Sequence, residues 1–165
     1  IREQMAELDH LGIAYEVIPG VSSFLAAAAA LKQEYTLPGV SQTVILTRME
    51  GRTPVPESEQ IAKLAAHQAT MVIFLSVGRI GQLCEQLRQG GYHEDTPAAA
   101  VYKASWKDQK IVCGTLKDLA GKVQEAGIRK TALVMVGGFL GDEFEKSKLY
   151  DPGFGHEYRR EEGKN

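Results

Sequence analysis

The sequence predicts a mixed α/β fold, and three observations point to it. Continuous apolar runs typical of buried strands, at residues 42–48, 70–77 and 131–136, alternate with amphipathic segments of helical length. Two further strands, at residues 98–103 and 109–113, have a connection too short for a crossover, so they must pair antiparallel. Hydrophobic residues make up 44% and charged residues 24%, as in ordinary globular domains. We therefore expect a largely parallel sheet with one antiparallel pair, covered by helices.

The sequence pattern of the first 41 residues indicates the end of an N-terminal α/β domain. Residues 2–11 have helical spacing of apolar side chains, residues 15–20 predict a short strand, and residues 24–33 predict an alanine-rich helix. Ser22 and Ser23 are N-cap candidates for that last helix. Because the chain opens inside a helix and without Met, we expect it to be a piece of a longer protein, with residues 1–41 a domain fragment.

The sequence pattern of residues 42–141 predicts a complete C-terminal α/β domain. Its helices are expected at residues 57–67, 80–88 and 116–125, and Gly90 with Gly91 is expected to end the second of these. Residues 142–165 predict a polar C-terminal tail without periodicity.

Charge and composition argue against several functional classes. Lys and Arg number 19 against 21 Asp and Glu, for a net charge of -2, whereas nucleic-acid-binding domains are usually basic. The longest apolar run, residues 24–31, is far shorter than the ~20 residues that span a bilayer. Cys84 and Cys113 have no metal-site spacing. We expect a cytoplasmic protein with no nucleic-acid partner, no membrane partner and no metal.

No familiar catalytic motif occurs in the sequence. The P-loop, GxGxxG, HExxH and GxSxG patterns are missing, and His10, His67, His93 and His156 each stand alone. We therefore predict no catalytic side chain.

Small residues instead follow the predicted strands, and open α/β sheets bind ligands beyond the carboxyl ends of their strands. A ligand cleft or a set of simple turns would both explain this pattern, which is found at Gly20–Ser23, Thr47–Arg48, Leu75–Gly78, Lys103–Ser105 and Val136–Gly138.

Four stretches, in this order, resemble the tetrapyrrole methyltransferase family. They are residues 18–23 (IPGVSS) with the alanine-rich helix, residues 70–76 (TMVIFLS), residues 97–106 with Gln109 and residues 114–116, and residues 131–136 (TALVMV). Members of this family have two α/β domains, with S-adenosylmethionine held between them. The resemblance covers nearly all of the chain. The chain lacks the N-terminal part of the family pattern, whose Gly-rich and Gly-Asp-Pro loops carry much of the cofactor site.

The resemblance implies a role for particular residues. Ser22 and Ser23 would lie near the sulfur end of S-adenosylmethionine, Leu75 would pack on the cofactor, and Ala104 would let the chain approach the adenosyl group. Leu133 would be a further contact of the cofactor. Core packing or helix capping remains the alternative for each of these residues. We expect the 165 residues alone to bind the cofactor poorly, because the Gly-rich loops are missing.

Within the family, three stretches resemble most the branch that methylates a ring carbon of precorrin-4 or cobalt-precorrin-4 in cobalamin biosynthesis. They are residues 46–56, residues 101–106, and residues 147–152 with Phe154, His156, Tyr158 and Arg159. This implies a polycarboxylate tetrapyrrole substrate, for which Arg48, Arg52 and Lys103 are candidate anchors, because these cations follow predicted strand ends and guanidinium groups in particular match carboxylates. Solvated surface charge is the alternative for these three.

Two other readings of the function remain open at this point. One is a sister activity on the same fold, acting on another ring carbon, on RNA or on a modified protein residue. The other is a non-catalytic dimerisation or substrate-side module. The family resemblance also implies a homodimer.

Overall fold

The computed structural model describes residues 1–147, which contain one five-stranded mixed sheet. The strands lie in the order β1-β2-β5-β3-β4. Their bounds are β1 Val44–Arg48, β2 Thr70–Phe74, β3 Pro97–Tyr102, β4 Lys110–Thr115 and β5 Ala132–Val136. The prediction of a mixed α/β sheet is confirmed, and each predicted strand from residue 42 onward is present within a few residues of its expected ends.

The expectation of a largely parallel sheet was wrong. Only β1 and β2 pair in parallel, whereas β5 enters between β2 and β3 and runs antiparallel to both. All five residues of β5 are buried, because helices and loops cover both faces of the sheet at its centre. Such a continuous apolar run is also typical of a central parallel strand, so the sequence does not reveal the strand's direction.

This topology brings three strand ends to one edge. β1, β2 and β3 run in the same direction, so their carboxyl ends and the start of β5 lie together at what we call the carboxyl edge. Gly137 and Gly138, which the sequence grouped with those strand ends, follow β5 and lie at the opposite edge.

Helices cover both faces of the sheet. Their bounds are α1 Arg2–His10, α2 Ser23–Leu31, α3 Ile61–Ala65, α4 Ile80–Gln89 and α5 Leu119–Glu125. The helix predicted over residues 57–67 is broken into a 3₁₀ turn, Glu57–Glu59, and α3, because Gln60 between them is extended at ψ 141°. Gly90 and Gly91 follow α4 as predicted, with Gly91 at φ +114°. None of the helices in residues 1–147 is long and apolar enough to cross a membrane.

Residues 15–20 do not form the predicted strand. The segment between α1 and α2 has no regular structure and is exposed throughout. A strand requires a neighbour for its backbone hydrogen bonds, and within residues 1–147 no strand pairs with this segment.

Two hydrophobic clusters hold the layers together. On one face α3, α4 and α5 pack on Met71, Ile73 and Val134. On the other, Ala27 of α2 and the rings of Tyr35 and Phe139 pack on Val72 and Met135. The alternation of Met71, Val72 and Ile73 between the faces is the period of two that strands require.

Contacts cross the predicted domain boundary at residue 41. The Thr70 hydroxyl of β2 donates to the Tyr35 carbonyl at 2.7 Å, and the Thr70 backbone N–H donates to Ser41 Oγ at 3.1 Å. Within the first segment, the Tyr35 hydroxyl donates to the Phe24 carbonyl at 2.6 Å. The segment after α2 is thereby fixed to the sheet. The division into residues 1–41, 42–141 and 142–165 stays a prediction, and residues 148–165, including most of the tail motif, lie outside the described part.

Candidate functional site

A cavity of about 360 Å³ opens at the carboxyl edge. The ends of β2 and β3, the start of β5 and the first residue of α2 surround it. Its lining is mostly apolar, with a few polar and charged groups at the rim, as is usual for small-molecule sites. The residues that line it include Ser23, Leu75, Gly78, Lys103, Ala104, Trp106, Arg129, Thr131 and Leu133.

Three of the turns around this cavity have strained backbones. Leu75, Lys103 and Thr131 have φ of +55°, +47° and +57°, in the left-handed region that residues other than glycine avoid. Each such residue costs about 1–3 kcal/mol, and such residues cluster at ligand sites because the surrounding fold must hold them there. No sequence signal marks these angles, since none of the three is Gly, Asn or Asp.

Gly78 lets two of the cavity walls approach each other. A Cβ at Gly78 would lie 3.0 Å from the carbonyl oxygen of Arg129, which is tighter than side chains normally tolerate. A side chain at residue 78 would therefore displace the segment that leads into β5.

Ser76 fixes the ends of β1 and β2 to each other. Its buried hydroxyl donates to the Phe74 carbonyl at 2.7 Å and accepts the Met49 backbone N–H at 2.9 Å. The strained Leu75 lies inside this hydrogen-bonded turn. The sequence placed Ser76 at a strand end but did not indicate this bridging role, which depends on the pairing of β1 with β2.

Lys103 is held in an ionic and aromatic cluster. Its Nζ lies 2.5 Å from Asp108 Oδ2 and 5.1 Å from each of the ring centroids of Tyr102 and Trp106. The hydrogen bond to Asp108 raises the pKa of Lys103, and the same bond lowers the pKa of Asp108. Lys103 is therefore a cation at neutral pH, and Asp108 competes with any external carboxylate for it.

Arg48 holds the loop that follows β1. Its guanidinium donates to the carbonyls of Met49 and Thr53, both at 3.2 Å, and of Pro54 at 2.9 Å. Arg52, at the tip of this loop, is exposed and has no hydrogen bond or ion pair with residues 1–147. Of the two arginines predicted to bind substrate, Arg48 uses its guanidinium to hold the loop. The guanidinium of Arg52 has no partner within residues 1–147 and is free to bind an external carboxylate.

The structure brings most of the predicted cofactor contacts together. Ser23, Leu75, Ala104 and Leu133 line the cavity, as does Lys103. Ser22 is the N-cap residue of α2, but it makes no side-chain capping hydrogen bond and does not line the cavity. Among residues 1–147 no group of three metal-ligating side chains converges.

Comparison with known proteins identifies the family. The profile of the tetrapyrrole (corrin/porphyrin) methylases matches residues 1–120, most of the chain. The chain belongs to this family. A tetrapyrrole methylase from Methanocaldococcus jannaschii, cobalt-precorrin-4 C(11)-methyltransferase, is 58% identical over 161 residues, covering 97% of this chain and 62% of its own length. Precorrin-4 C(11)-methyltransferase from Mycobacterium tuberculosis is 48% identical over 152 residues, 91% of this chain and 61% of its own. The chain thus spans 61–62% of the length of these two tetrapyrrole methylases.

Solved tetrapyrrole methylases share the fold. The X-ray structure of a cobalt precorrin-4 methyltransferase, a cobalamin biosynthetic enzyme, matches with a TM-score of 0.82 at 47% identity, over 84% of this chain and 58% of that one. Uroporphyrin-III C-methyl transferase from Thermus thermophilus, complexed with S-adenosyl homocysteine, matches with a TM-score of 0.67 at 26% identity, over 84% of this chain and 59% of that one.

Proposed function

We propose that the protein carrying this chain transfers a methyl group from S-adenosylmethionine to a ring carbon of precorrin-4 or cobalt-precorrin-4. The observation that carries the proposal is the cavity at the carboxyl edge, which collects Ser23, Leu75, Ala104 and Leu133, four of the five residues that the family resemblance assigns to the cofactor. The names of the relatives that match most of this chain support the choice of substrate.

The residues around the cavity fit an adenosyl group. Ala104 carries only a methyl group, which leaves room for a planar ring system to approach the backbone, and Leu133 supplies an apolar wall. Thr131 and Lys103 add polar groups at the rim, where a ribose or amino-acid portion would need hydrogen bonds.

Bound S-adenosylmethionine would supply a methyl group already activated by its sulfonium. The chain's own residues then have to position the reactants, and alignment alone can lower a barrier by about 7–11 kcal/mol. The cationic Lys103 cannot accept a proton at neutral pH, and its partner Asp108 is held as a carboxylate. Both groups carry charge at neutral pH, and the expectation that methyl transfer needs no side-chain base stays a prediction.

The loop after β1 is proposed to face the substrate. Arg48 orders this loop from within, so that Arg52 is presented to a carboxylate beyond the cavity. A homodimer, which the family resemblance implies, and a cytoplasmic location, expected from the sequence, belong to the same proposal.

A methyl-transfer assay tests the proposal. The protein carrying this chain is incubated with methyl-labelled S-adenosylmethionine and either precorrin-4 or cobalt-precorrin-4. We expect label in one of these tetrapyrroles. Label only in another precorrin would replace the substrate assignment with the sister activity, and no transfer to any tetrapyrrole would favour a non-catalytic module.

A further inference from the structure

A second cleft lies beside the cavity at the carboxyl edge. It has a volume of about 770 Å³ and lies between the 3₁₀ turn Val77–Arg79, the start of α4 and the segment before β5. We infer that this cleft, lined by Arg79 and Arg129, binds carboxylate groups of the substrate while the cofactor occupies the cavity. The inference rests on the proposed function.

The cleft and the cavity are adjacent. Val77, Gly78 and Arg129 line both of them. Because Gly78 brings its turn against the Arg129 backbone, the wall between the two spaces is thin. A macrocycle whose ring carbon meets the cofactor in the cavity can therefore extend its acidic side chains into the cleft.

The arginines of the cleft lack protein counterions. Within residues 1–147 neither Arg79 nor Arg129 has a carboxylate within 4.0 Å, and the one side-chain bond of Arg79 is a long contact of 3.5 Å with Gln82 Oε1. Arg88, in helix α4, is by contrast paired with Glu85 at 2.5 Å. Guanidinium groups without a protein partner can form a two-point contact with an external carboxylate.

Arg79 also lies beside the loop that presents Arg52. Its Nη2 is 3.9 Å from the position that a Cβ on Gly51 would occupy. The loop after β1 and the turn after β2 therefore contribute arginines to one region of the carboxyl edge, and Arg129 adds a third from the segment before β5. Glu50 is the one carboxylate within residues 49–56, and it forms no ion pair with residues 1–147.

Local stability does not explain Arg79. Arg79 immediately precedes α4, so its positive charge lies near the positive end of the helix dipole, which is unfavourable. The first turn of α4 contains no acidic residue that would compensate this charge. A residue that opposes the local preference without a compensating protein contact is expected at a functional site.

Kinetics of the protein carrying this chain test the inference. We expect R79Q and R129Q each to raise KM for the tetrapyrrole about tenfold, because each removes a charge-assisted contact. kcat and the calorimetric Kd of S-adenosylhomocysteine should change less than about twofold, since these contacts are made equally in the ground and transition states. R88Q, which removes an arginine of α4 that is paired with Glu85, is the matched control and should leave all three constants unchanged. An unchanged KM, or a cofactor Kd that rises together with KM, would overturn the assignment.

A binding measurement separates this inference from the proposed function. A porphyrin with eight carboxylates and one with four are titrated against the same protein by fluorescence quenching. We expect tighter binding of the eight-carboxylate porphyrin, and loss of that preference in R79Q/R129Q but not in R88Q. If the preference persists in the double variant, the cleft is not the carboxylate site, whether or not methyl transfer is observed.

Discussion

Ala104 is the residue at which the size of a side chain should matter most for the cofactor. It lies in the turn after β3, is half-buried, and lines the cavity. Ala104→Leu adds three carbons to a space assigned to the adenosyl group, so we expect the affinity for S-adenosylhomocysteine to fall at least about tenfold, as overpacking commonly costs 1–3 kcal/mol. Calorimetric titration of the protein carrying this chain measures the loss. Ala66→Leu, at an exposed position after α3, is the control. Unchanged affinity in Ala104→Leu would remove this residue from the site.

The stability that the ion pair of Lys103 and Asp108 contributes should depend on pH. Because the hydrogen bond from Lys103 lowers the pKa of Asp108, the pair contributes stability above the ordinary carboxyl pKa and loses it as the pH falls through the lowered value. An NMR titration of the Asp108 side chain should therefore show a midpoint below the usual value of about 3.9, and Lys103→Gln should move it upward. Lys117→Gln, which breaks the distant pair with Glu94, is the control. An Asp108 midpoint that ignores Lys103→Gln would contradict the pairing.

For single residues, the sequence predicted where the candidate site residues lie better than which atoms they contact. The strand-end pattern drew attention to the turns that contain Ala104 and Leu75, because the carboxyl ends of strands are where a backbone can approach a ligand, but only the family resemblance assigned these two residues to the cofactor. The bridging hydroxyl of Ser76 and the carbonyl contacts of Arg48 were not predictable, since each depends on how a loop closes in three dimensions. The lack of an ion-pair partner for Arg79 and Arg129 within residues 1–147 was not predictable either, since it depends on which side chains the fold brings near them.

At the scale of elements, the loop after β1 depends on Arg48. Three of its carbonyls accept hydrogen bonds from that one guanidinium, and Arg52 at its tip is an exposed site for trypsin. Arg48→Met should free the loop, and we expect tryptic cleavage after Arg52 to accelerate several-fold, because proteolysis follows the population of opened loops. The cleavage rate is followed by mass spectrometry. Arg88→Met should not change it, and an equal rate in Arg48→Met would show that the loop is ordered by other contacts.

Ser76 connects two strand ends, and its loss should be measurable in the stability of the fold. Ser76→Ala leaves the Met49 N–H, at a nearly fully buried residue, without its acceptor. Leaving a buried donor unsatisfied costs about 1–3 kcal/mol in the free energy of unfolding. Urea denaturation measures the change, with the exposed Ser58→Ala as control. A loss below about 0.5 kcal/mol, as for ordinary surface substitutions, would contradict the importance of this bridge.

The sequence predicted which segments form elements more reliably than how they pair. Periodicity located every strand from β1 to β5, but it does not encode direction, so the antiparallel insertion of β5 between β2 and β3 was missed. The apolar segment at residues 15–20 illustrates the opposite error. Its composition favours a strand, but a strand forms only with a neighbour, and within residues 1–147 it has none.

At the scale of the whole molecule, the described residues leave the cavity open. Leu75 and Trp106 line it, yet their side chains are 89% and 60% exposed, so neither is covered by residues 1–147. We therefore expect these 165 residues alone to bind S-adenosylhomocysteine only weakly, because apolar contact with a ligand on one side gives little burial. Trp106, the single tryptophan of the chain, reports binding through its fluorescence. Micromolar affinity of the chain alone would contradict this expectation.

We propose that the carboxyl edge of this sheet holds the methyl donor next to a tetrapyrrole. A crystal structure of the protein carrying this chain with S-adenosylhomocysteine would show where the cofactor binds. We expect the adenosyl group in the cavity, in contact with Ala104 and Leu133, with Leu75 packed against the cofactor. A cofactor bound away from these residues would contradict it.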